Sequence, residues 1–260
     1  MNLNLKDKVI LVTGGDKGIG FGICQRLAKE GAIPFIVGRT KKDVKKAVSH
    51  IQKEGGKCSF SLAELTRPEE CRAAVAKAVM EYGRIDGLVN NAGVNDGVGL
   101  EHGNYEDFMK SLDKNLTHYY LMFEYSLPHL IKNSGNVVNI SSKTAITGQG
   151  GTSGYAAANG GRNALTESLA IQYFNKGIRV NAVIVSESFT PQYKRWIKQF
   201  PNADELLQSI ENKIPLEKRM TTPDEIADTT TFLLSEKSKC ITGQLFYVDG
   251  GYVHLDRAIY

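Results

Sequence analysis

The sequence lacks the features that mark secreted, membrane-spanning and metal-dependent proteins. Its four cysteines are Cys24, Cys58, Cys71 and Cys240, and they show no paired spacing. A disulfide framework or a zinc site is therefore not expected. No apolar run approaches the roughly 18 residues that a transmembrane helix needs, and the opening MNLNLKDKVILV carries no signal-peptide pattern. We expect a cytoplasmic protein with no metal site and no membrane span.

An excess of charge of one sign is also missing. The 32 Lys and Arg residues are scattered among 28 Asp and Glu residues, which leaves a formal net charge of +4. This balance argues against a nucleic-acid binder but is compatible with a small anionic ligand. A charged fraction of 23% excludes a disordered or fibrous chain, and 42% apolar residues suffice for a sizeable core.

Short apolar runs alternate with longer helical patterns along the chain. Several runs are rich in β-branched residues without polar alternation, as is typical of strands buried on both faces. The predicted strands are Val9–Val12, Pro34–Val37, Cys58–Leu62, Leu88–Val89, Asn136–Ile140, Arg179–Val185 and Leu245–Val248. The alternation predicts a Rossmann-type α/β fold, a doubly wound parallel sheet of seven strands with helices on both faces.

The helix starts and the absence of linkers indicate the domain organisation. Capping patterns occur at Thr40–Asp43, Thr66–Glu69 and Thr222–Glu225, the last with proline at the first helical position. The chain has no internal repeat and no linker-like tract, so residues 1–260 are interpreted as a single dinucleotide-binding and catalytic domain. Residues 186–214 follow a strand end and are rich in aromatic residues and proline, which predicts a helical segment over the substrate.

A glycine-rich turn, TGGDKGIG at 13–20, lies between the first predicted strand and the amphipathic run Phe21–Glu30. Glycines at such a turn let backbone N–H groups approach a pyrophosphate at the amino end of a helix. An ordinary glycine-rich loop would look similar in isolation. The strand–turn–helix context favours a dinucleotide site.

The charge after the second strand bears on which dinucleotide is bound. An acidic residue there accepts hydrogen bonds from a ribose 2′-hydroxyl, whereas arginine accommodates a 2′-phosphate. Here Arg39 follows the strand, and Lys17 in the glycine-rich turn adds a second cation, offset slightly by Asp16. The pattern predicts NADP(H), with NAD(H) as the alternative.

Ser142 and Tyr155 have the spacing of a hydride-transfer site. A phenol has an ordinary pKa near ~10, so it carries protons poorly at neutral pH unless a cation stabilises the phenolate. Position 159 lies one turn beyond the tyrosine on the same helix face, but it holds asparagine. The nearest cations in sequence are Lys143 and Arg162, the latter two turns along the helix.

Together with the run NNAG at 90–93 and Asn115, these motifs resemble the short-chain dehydrogenase/reductase family over the whole chain. The resemblance implies that Tyr155 exchanges a proton with the substrate oxygen, Ser142 holds that oxygen, and Asn115 anchors a water relay. Position 159 would hold a lysine that binds the nicotinamide ribose and promotes ionisation of the tyrosine. The implied cofactor contacts are Gly14, Lys17, Ile19, Gly20, Arg39, Glu64, Leu65, Asn90, Ala92, Tyr155, Asn159 and Thr190.

Five segments are similar to sugar-oxidising members of that family. They are LVNNAGVNDGVGL (88–100), NISSKTAITGQGGTSGY (139–155), TPQYKRWI (190–197), TTPDEIADT (221–229) and VDGGYVHLDRA (248–258). The similarity implies oxidation of a pyranose such as L-fucose, L-galactose or D-arabinose at C1 to the lactone. The candidate substrate-binding residues are Asn95, Ser142, Lys143, Gln149, Glu187, Tyr193 and Trp196. Ordinary helix packing would explain Tyr193 and Trp196 equally well.

Two positions depart from the family pattern: Asn159, and Val185–Ser186 where most relatives carry Pro-Gly. Asn159 leaves three interpretations open, namely a slower dehydrogenase with a raised pH optimum, an inactivated enzyme, or an NADP-binding pseudoenzyme. The other catalytic positions are intact, which favours an enzyme. Reduction of another carbonyl, of the 3-oxoacyl or steroid type, is the alternative substrate class. The resemblance also implies a homotetramer, in which Tyr155–Lys176 would pack against its copy.

Overall fold

The computed structural model describes residues 2–254, and its strands form one parallel sheet. The strands are β1 (Val9–Thr13), β2 (Ile33–Gly38), β3 (Ser59–Leu62), β4 (Gly87–Asn90), β5 (Asn136–Ser142), β6 (Arg179–Val185) and β7 (Leu245–Val248). Their order is β3-β2-β1-β4-β5-β6-β7, and each neighbouring pair is parallel. The predicted doubly wound, seven-stranded sheet is confirmed.

Helices cover the sheet on both faces. They are α1 (Gly18–Lys29), α2 (Lys41–Lys53), α3 (Pro68–Tyr82), α4 (Tyr105–Leu112), α5 (His118–Asn133), α6 (Thr144–Thr147), α7 (Ser153–Tyr173), α8 (Pro191–Ile197), α9 (Ala203–Asn212) and α10 (Pro223–Leu234). Successive residues of a strand point to opposite faces. In β1, Ile10 and Val12 pack under α1, α2 and α10, whereas Val9 and Leu11 pack under α3, α5 and α7. This explains the apolar strand patterns that lack alternation.

The predicted capping box at the start of α10 is confirmed. The Thr222 hydroxyl accepts a hydrogen bond from the Glu225 backbone N–H at 3.3 Å, and the Glu225 carboxylate accepts one from the Thr222 N–H at 2.8 Å. Pro223 occupies the first helical position, where its missing N–H costs nothing. The box satisfies two backbone groups that a helix start leaves without partners.

The prediction that Thr66 caps α3 is wrong. That helix begins at Pro68, and its N-cap is Arg67, whose side chain makes no capping hydrogen bond. Proline restricts the residue before it to extended conformations, which moves the helix boundary to position 67. The Thr66 hydroxyl donates instead to the Glu64 carboxylate at 3.3 Å. Thr40 does stand at the N-cap of α2, but its hydroxyl makes no capping bond.

The segment 186–214 contains two short helices, α8 and α9, after the carboxyl end of β6. This agrees with the predicted helical segment, and its role over a substrate stays a prediction. Within residues 2–254, no helix is both long and apolar enough to cross a membrane.

Thr222→Ala should lower the free energy of unfolding by about 1 kcal/mol, because it removes an N-cap acceptor. For a chain of this length, the expected fall in melting temperature is about 2–4 °C. Thr40→Ala is the matched control, since Thr40 occupies an N-cap without a side-chain hydrogen bond. Differential scanning fluorimetry of both variants makes the comparison, and equal losses would contradict the assigned role of the box.

Candidate active site

The parallel sheet brings the loops after β1, β4, β5 and β6 to one edge. Asn91, after β4, donates from its side-chain amide to the Thr13 carbonyl of β1 at 2.9 Å. A methyl group added to Gly18 would lie 3.5 Å from the Cβ of Thr190, so the loop after β6 also reaches the glycine-rich turn. In doubly wound sheets this edge is where ligands bind.

Glycine is required at several positions of the glycine-rich turn. Gly14 and Gly18 have φ values of +63° and +56°, which other residues adopt at a cost. A Cβ on Gly20 would lie 2.2 Å from the Gly14 carbonyl oxygen. No side chain caps the first turn of α1 at Lys17. Backbone N–H groups at this helix start therefore suit a dinucleotide pyrophosphate.

Both predicted phosphate-binding cations have acidic neighbours in the fold. The Lys17 ammonium lies 3.1 Å from Asp43 and 3.6 Å from Asp16. The Arg39 guanidinium lies 3.5 Å from Glu64, and its side chain is 77% exposed. Ion pairs with exposed side chains contribute little stability, and a role of Lys17 and Arg39 toward a phosphate stays a prediction.

The remaining predicted cofactor contacts differ in how deeply their side chains are buried. The buried Asn90 side chain donates to the Asn139 side chain at 3.0 Å, and the Ala92 N–H donates to the Thr13 hydroxyl at 3.1 Å. Ile19 is half-buried, and Leu65 lies in the core under α3. These contacts show how the residues support the sheet edge, and their roles toward a cofactor stay predictions.

Ser142 ends β5 with its hydroxyl oriented by a neighbour. Its oxygen accepts hydrogen bonds from the Thr144 N–H at 3.2 Å and from the Thr144 hydroxyl at 3.1 Å. A hydroxyl that accepts twice still has its own hydrogen to donate. Tyr155 lies in the first turn of α7 and is half-buried.

Asn115 lies in a π-helical segment, Asp113–Thr117, between α4 and α5. Its side chain is fully buried, accepts from the Val94 N–H at 2.8 Å and donates to the Ser111 carbonyl at 3.0 Å. Single π-turns inside helices are frequent at functional sites. The water relay at Asn115 stays a prediction.

Asn159 is fully buried and joins α7 to β5. Its amide nitrogen donates to the Tyr155 carbonyl at 2.8 Å, and its side-chain oxygen accepts from Arg162 at 2.9 Å. Its backbone carbonyl accepts from the Ser141 hydroxyl of β5 at 3.3 Å. The Arg162 side chain therefore runs back along α7 toward Tyr155, and its central carbon lies 5.9 Å from the tyrosine ring centre.

Arg162 also affects a buried histidine. Burial, together with the Arg162 charge, lowers the pKa of His118 to about 3. The ring is neutral at neutral pH, and its Nε2 lies 3.1 Å from the Lys114 carbonyl oxygen.

Three of the predicted substrate-binding residues lie together. Lys143 and Glu187 form an ion pair at 2.6 Å, with side chains 8% and 16% exposed. Burial and the nearby Glu187 carboxylate raise the pKa of Tyr193. The Lys143 ammonium also lies 3.8 Å from the ring centre of Tyr252, which was not among the predicted site residues although its segment was noted.

The other predicted substrate residues lie further out. Trp196 is 38% exposed and packs edge-on against Tyr193 at 5.1 Å between ring centres. Asn95 and Gln149 are exposed, and the Asn95 side chain accepts from the Gly97 N–H at 3.3 Å in its own loop. Within residues 2–254, neither hydrogen-bonds to Lys143 or Glu187. Residues 255–258 of the noted C-terminal segment lie outside the described residues.

Comparison with known proteins places this geometry in a family. The family model described as "Enoyl-(Acyl carrier protein) reductase" matches residues 14–253. The chain is 36% identical to the 3-oxoacyl-[acyl-carrier-protein] reductase FabG of Chlamydia muridarum, over 96% of the chain and 99% of the relative. It is 33% identical to the L-fucose dehydrogenase of Bos taurus, over 96% of the chain and 91% of the relative.

Solved structures similar to this chain are also dehydrogenases and reductases. The Cj0485 dehydrogenase superposes with a TM-score of 0.94 at 42% identity, covering 100% of this chain and 99% of the other. The actinorhodin polyketide ketoreductase, solved with NADPH, superposes with a TM-score of 0.91 at 27% identity, covering 95% of this chain and 98% of the other. The chain belongs to the short-chain dehydrogenase/reductase family of oxidoreductases.

Proposed function

We propose that the protein is an NADP-dependent dehydrogenase that oxidises a pyranose such as L-fucose, L-galactose or D-arabinose at C1 to the lactone. The observation that carries the proposal is the buried Lys143–Glu187 ion pair next to Ser142. Removing two charges from water is costly, so a site that keeps them there is suited to a polar ligand. A lysine donor beside a carboxylate acceptor matches neighbouring hydroxyl groups on a sugar ring.

Aromatic rings beside that pair add an apolar surface. Phe189, Tyr193, Trp196 and Phe200 follow one another, with ring centres 6.2, 5.1 and 5.2 Å apart. A pyranose presents C–H groups on its ring face and hydroxyls at its edge, so a site of this composition suits both. We assign residues 186–214 as the substrate-covering segment on this basis.

The relatives support a dehydrogenase or reductase, and their names cover several substrate classes, among them sugars and 3-oxoacyl compounds. One relative is an L-fucose dehydrogenase and another is a 3-oxoacyl reductase, at similar identities. The second class is our alternative function. It is less well matched by the buried ion pair, because an acyl chain would need an apolar channel at that place.

The chemistry divides among residues of the chain. Tyr155 takes the proton of the anomeric hydroxyl, and Ser142 donates a hydrogen bond to the same oxygen, since Thr144 occupies its acceptor sites. A bound nicotinamide ring would accept the hydride from C1. Loss of that hydride and proton converts the hemiacetal carbon into the lactone carbonyl.

NADP is assigned from the charges at the end of β2. Arg39 is largely exposed there, and Lys17 projects from the glycine-rich turn. Both can donate charge-assisted hydrogen bonds to a 2′-phosphate. The ketoreductase solved with NADPH supports the same cofactor.

A homotetramer is part of the proposal. Ile171 on α7 and Phe174 just after it are 71% and 59% exposed, and Tyr120 on α5 is 53% exposed. Apolar groups exposed on adjacent helices support an interface between copies of the chain.

The double variant Lys143→Met with Glu187→Met removes both members of the ion pair. Its melting temperature should stay near that of the wild type, since no unpaired charge is created. We expect kcat/KM for L-fucose with NADP⁺ to fall about 100-fold or more, because hydrogen bonds to charged groups contribute about 1.5–3 kcal/mol each. Lys194→Met, at an exposed position of α8, is the control. A double variant with unchanged sugar oxidation, or with improved reduction of a 3-oxoacyl thioester, would favour the alternative.

Arg39→Ala should weaken NADP⁺ binding about 10- to 100-fold through the loss of a charge-assisted contact to phosphate. NAD⁺ affinity should stay within about twofold, since NAD⁺ lacks that phosphate. Lys42→Ala, which removes an exposed cation of α2, is the matched control. Fluorescence titration measures the dissociation constants of both cofactors for the wild type and each variant, and an unchanged NADP⁺/NAD⁺ ratio in Arg39→Ala would remove Arg39 from the phosphate site.

A further inference from the structure

Arg162 is a cation buried without a counter-ion. Its side chain is 2% exposed, and its acceptors are the carbonyls of Asn115 and Ile140 and the side-chain oxygens of Asn159 and Asn115. All of these are neutral. Within residues 2–254, no carboxylate lies within 4.0 Å of it. Hydrogen bonds to neutral groups offset only part of the cost of burying a charge, which leaves the site favourable for a negative charge nearby.

Two of the three closest ionisable groups cannot supply that charge. The fully buried Tyr119 ring lies 4.3 Å from the Arg162 central carbon, and its hydroxyl donates to the Ile140 carbonyl at 2.8 Å. Burial raises the pKa of Tyr119, so it stays neutral. His118 can gain only positive charge. The third group, the half-buried Tyr155, lies with its ring centre 5.9 Å from Arg162.

Other charges around α7 are paired, exposed or distant from Tyr155. Lys143 pairs with Glu187, and Lys114 lies 3.6 Å from Asp96. The remaining ionisable side chains on elements packed against α7 are Tyr105, Glu106, Asp107 and Lys110 of α4, Asp113 of the π-helical segment, Lys176 of the turn after α7 and Arg179 of β6. Arg179 stands at the opposite end of its strand from the candidate site. Among the described residues, Arg162 is thus a buried cation that lies beside Tyr155 and has no acidic partner.

We propose that Arg162 is a positioning residue that stabilises the phenolate of Tyr155, and that Asn159 anchors it. The inference rests on the proposed function in taking Tyr155 as the proton acceptor. Helix side chains lean toward the amino end, which lets a residue two turns along α7 place its guanidinium near the first turn. The Asn159 oxygen holds that conformation at 2.9 Å. On this assignment, asparagine at 159 is part of a working site in which the cation comes from position 162.

The first test is the pH dependence of kcat for L-fucose oxidation in wild type and Arg162→Gln. A neighbouring opposite charge favours the ionised form of a side chain, typically by about 1–3 pH units. We expect the acid limb of the profile to move upward by that amount in the variant, with activity about 10- to 1,000-fold lower at neutral pH and largely recovered near pH ~10. NADP⁺ affinity, measured by fluorescence, should stay within about threefold of the wild type.

Two further variants distinguish an electrostatic effect of Arg162 on Tyr155 from an effect of its packing. Arg179→Gln removes another partly buried arginine that binds backbone carbonyls, and its profile should not move along the pH axis. The double variant Arg162→Gln with Asn159→Lys relocates the cation to one turn from Tyr155, and it should restore the wild-type limb. If Arg162→Gln lowers kcat by the same factor at every pH, or the relocated cation restores nothing, the proposal is overturned.

A spectroscopic readout needs neither sugar nor turnover. Ultraviolet titration of wild type against Tyr155→Phe isolates the phenolate absorbance of one tyrosine. We expect that absorbance to appear at a higher pH in Arg162→Gln than in the wild type, because the variant lacks the neighbouring cation. Equal titrations in the two folded proteins overturn the proposal. A difference between the two titrations without sugar oxidation would sustain Arg162 and reject only the substrate.

Discussion

All seven strands run in the same direction, so every strand ends at one edge of the sheet. This constraint brings the glycine-rich turn, Ser142 and Thr190 together, although they are spread along much of the chain. The alternating apolar side chains of β1 fix the sheet between two helical layers, which holds that edge in place. The position of each candidate functional group depends on this alignment, because each lies at or just beyond a strand end or on a helix that packs there.

The interior near Tyr155 combines buried polar groups that depend on one another. Arg162 binds the carbonyl of Asn115 in the π-helical segment, the carbonyl of Ile140 in β5 and the side chain of Asn159 in α7. One guanidinium therefore joins three elements at the point where they meet. In a medium of low dielectric constant such a network is stable only when its donors and acceptors are matched, and it strengthens the electrostatic effect of the charge at its centre.

The substrate end of the site has a different character. There the charges are paired, Lys143 with Glu187, and lie under aromatic rings from α8 and from Tyr252. A paired charge produces a short-range field that orients hydroxyl groups, whereas the unpaired Arg162 favours a charge of opposite sign at Tyr155. In our proposals, the Lys143–Glu187 pair recognises a polar ring and Arg162 favours ionisation of a phenol.

Much of the fold and part of the site could be predicted from local pattern. Strand positions followed from short apolar runs, and the capping box at Thr222 followed from four adjacent residues whose bonding is local. The Thr66 cap was mispredicted because Pro68 shifted the boundary by one residue. The π-helical turn at Asn115 and the exposed positions of Asn95 and Gln149 had no local signal, since they depend on how distant elements pack.

By itself, the sequence determined the parallel sheet, the glycine-rich cofactor turn and the order of Ser142, Tyr155 and Asn159, because periodicity and short motifs encode local geometry. Only the tertiary structure decided which charges are paired and which are not. Lys143, just after β5, forms an ion pair with Glu187, just after the neighbouring strand β6. Arg162 instead donates to neutral oxygens and lies near the Tyr155 ring. Electrostatic interactions depend on distance and burial in three dimensions, and neither can be obtained from spacing along the chain.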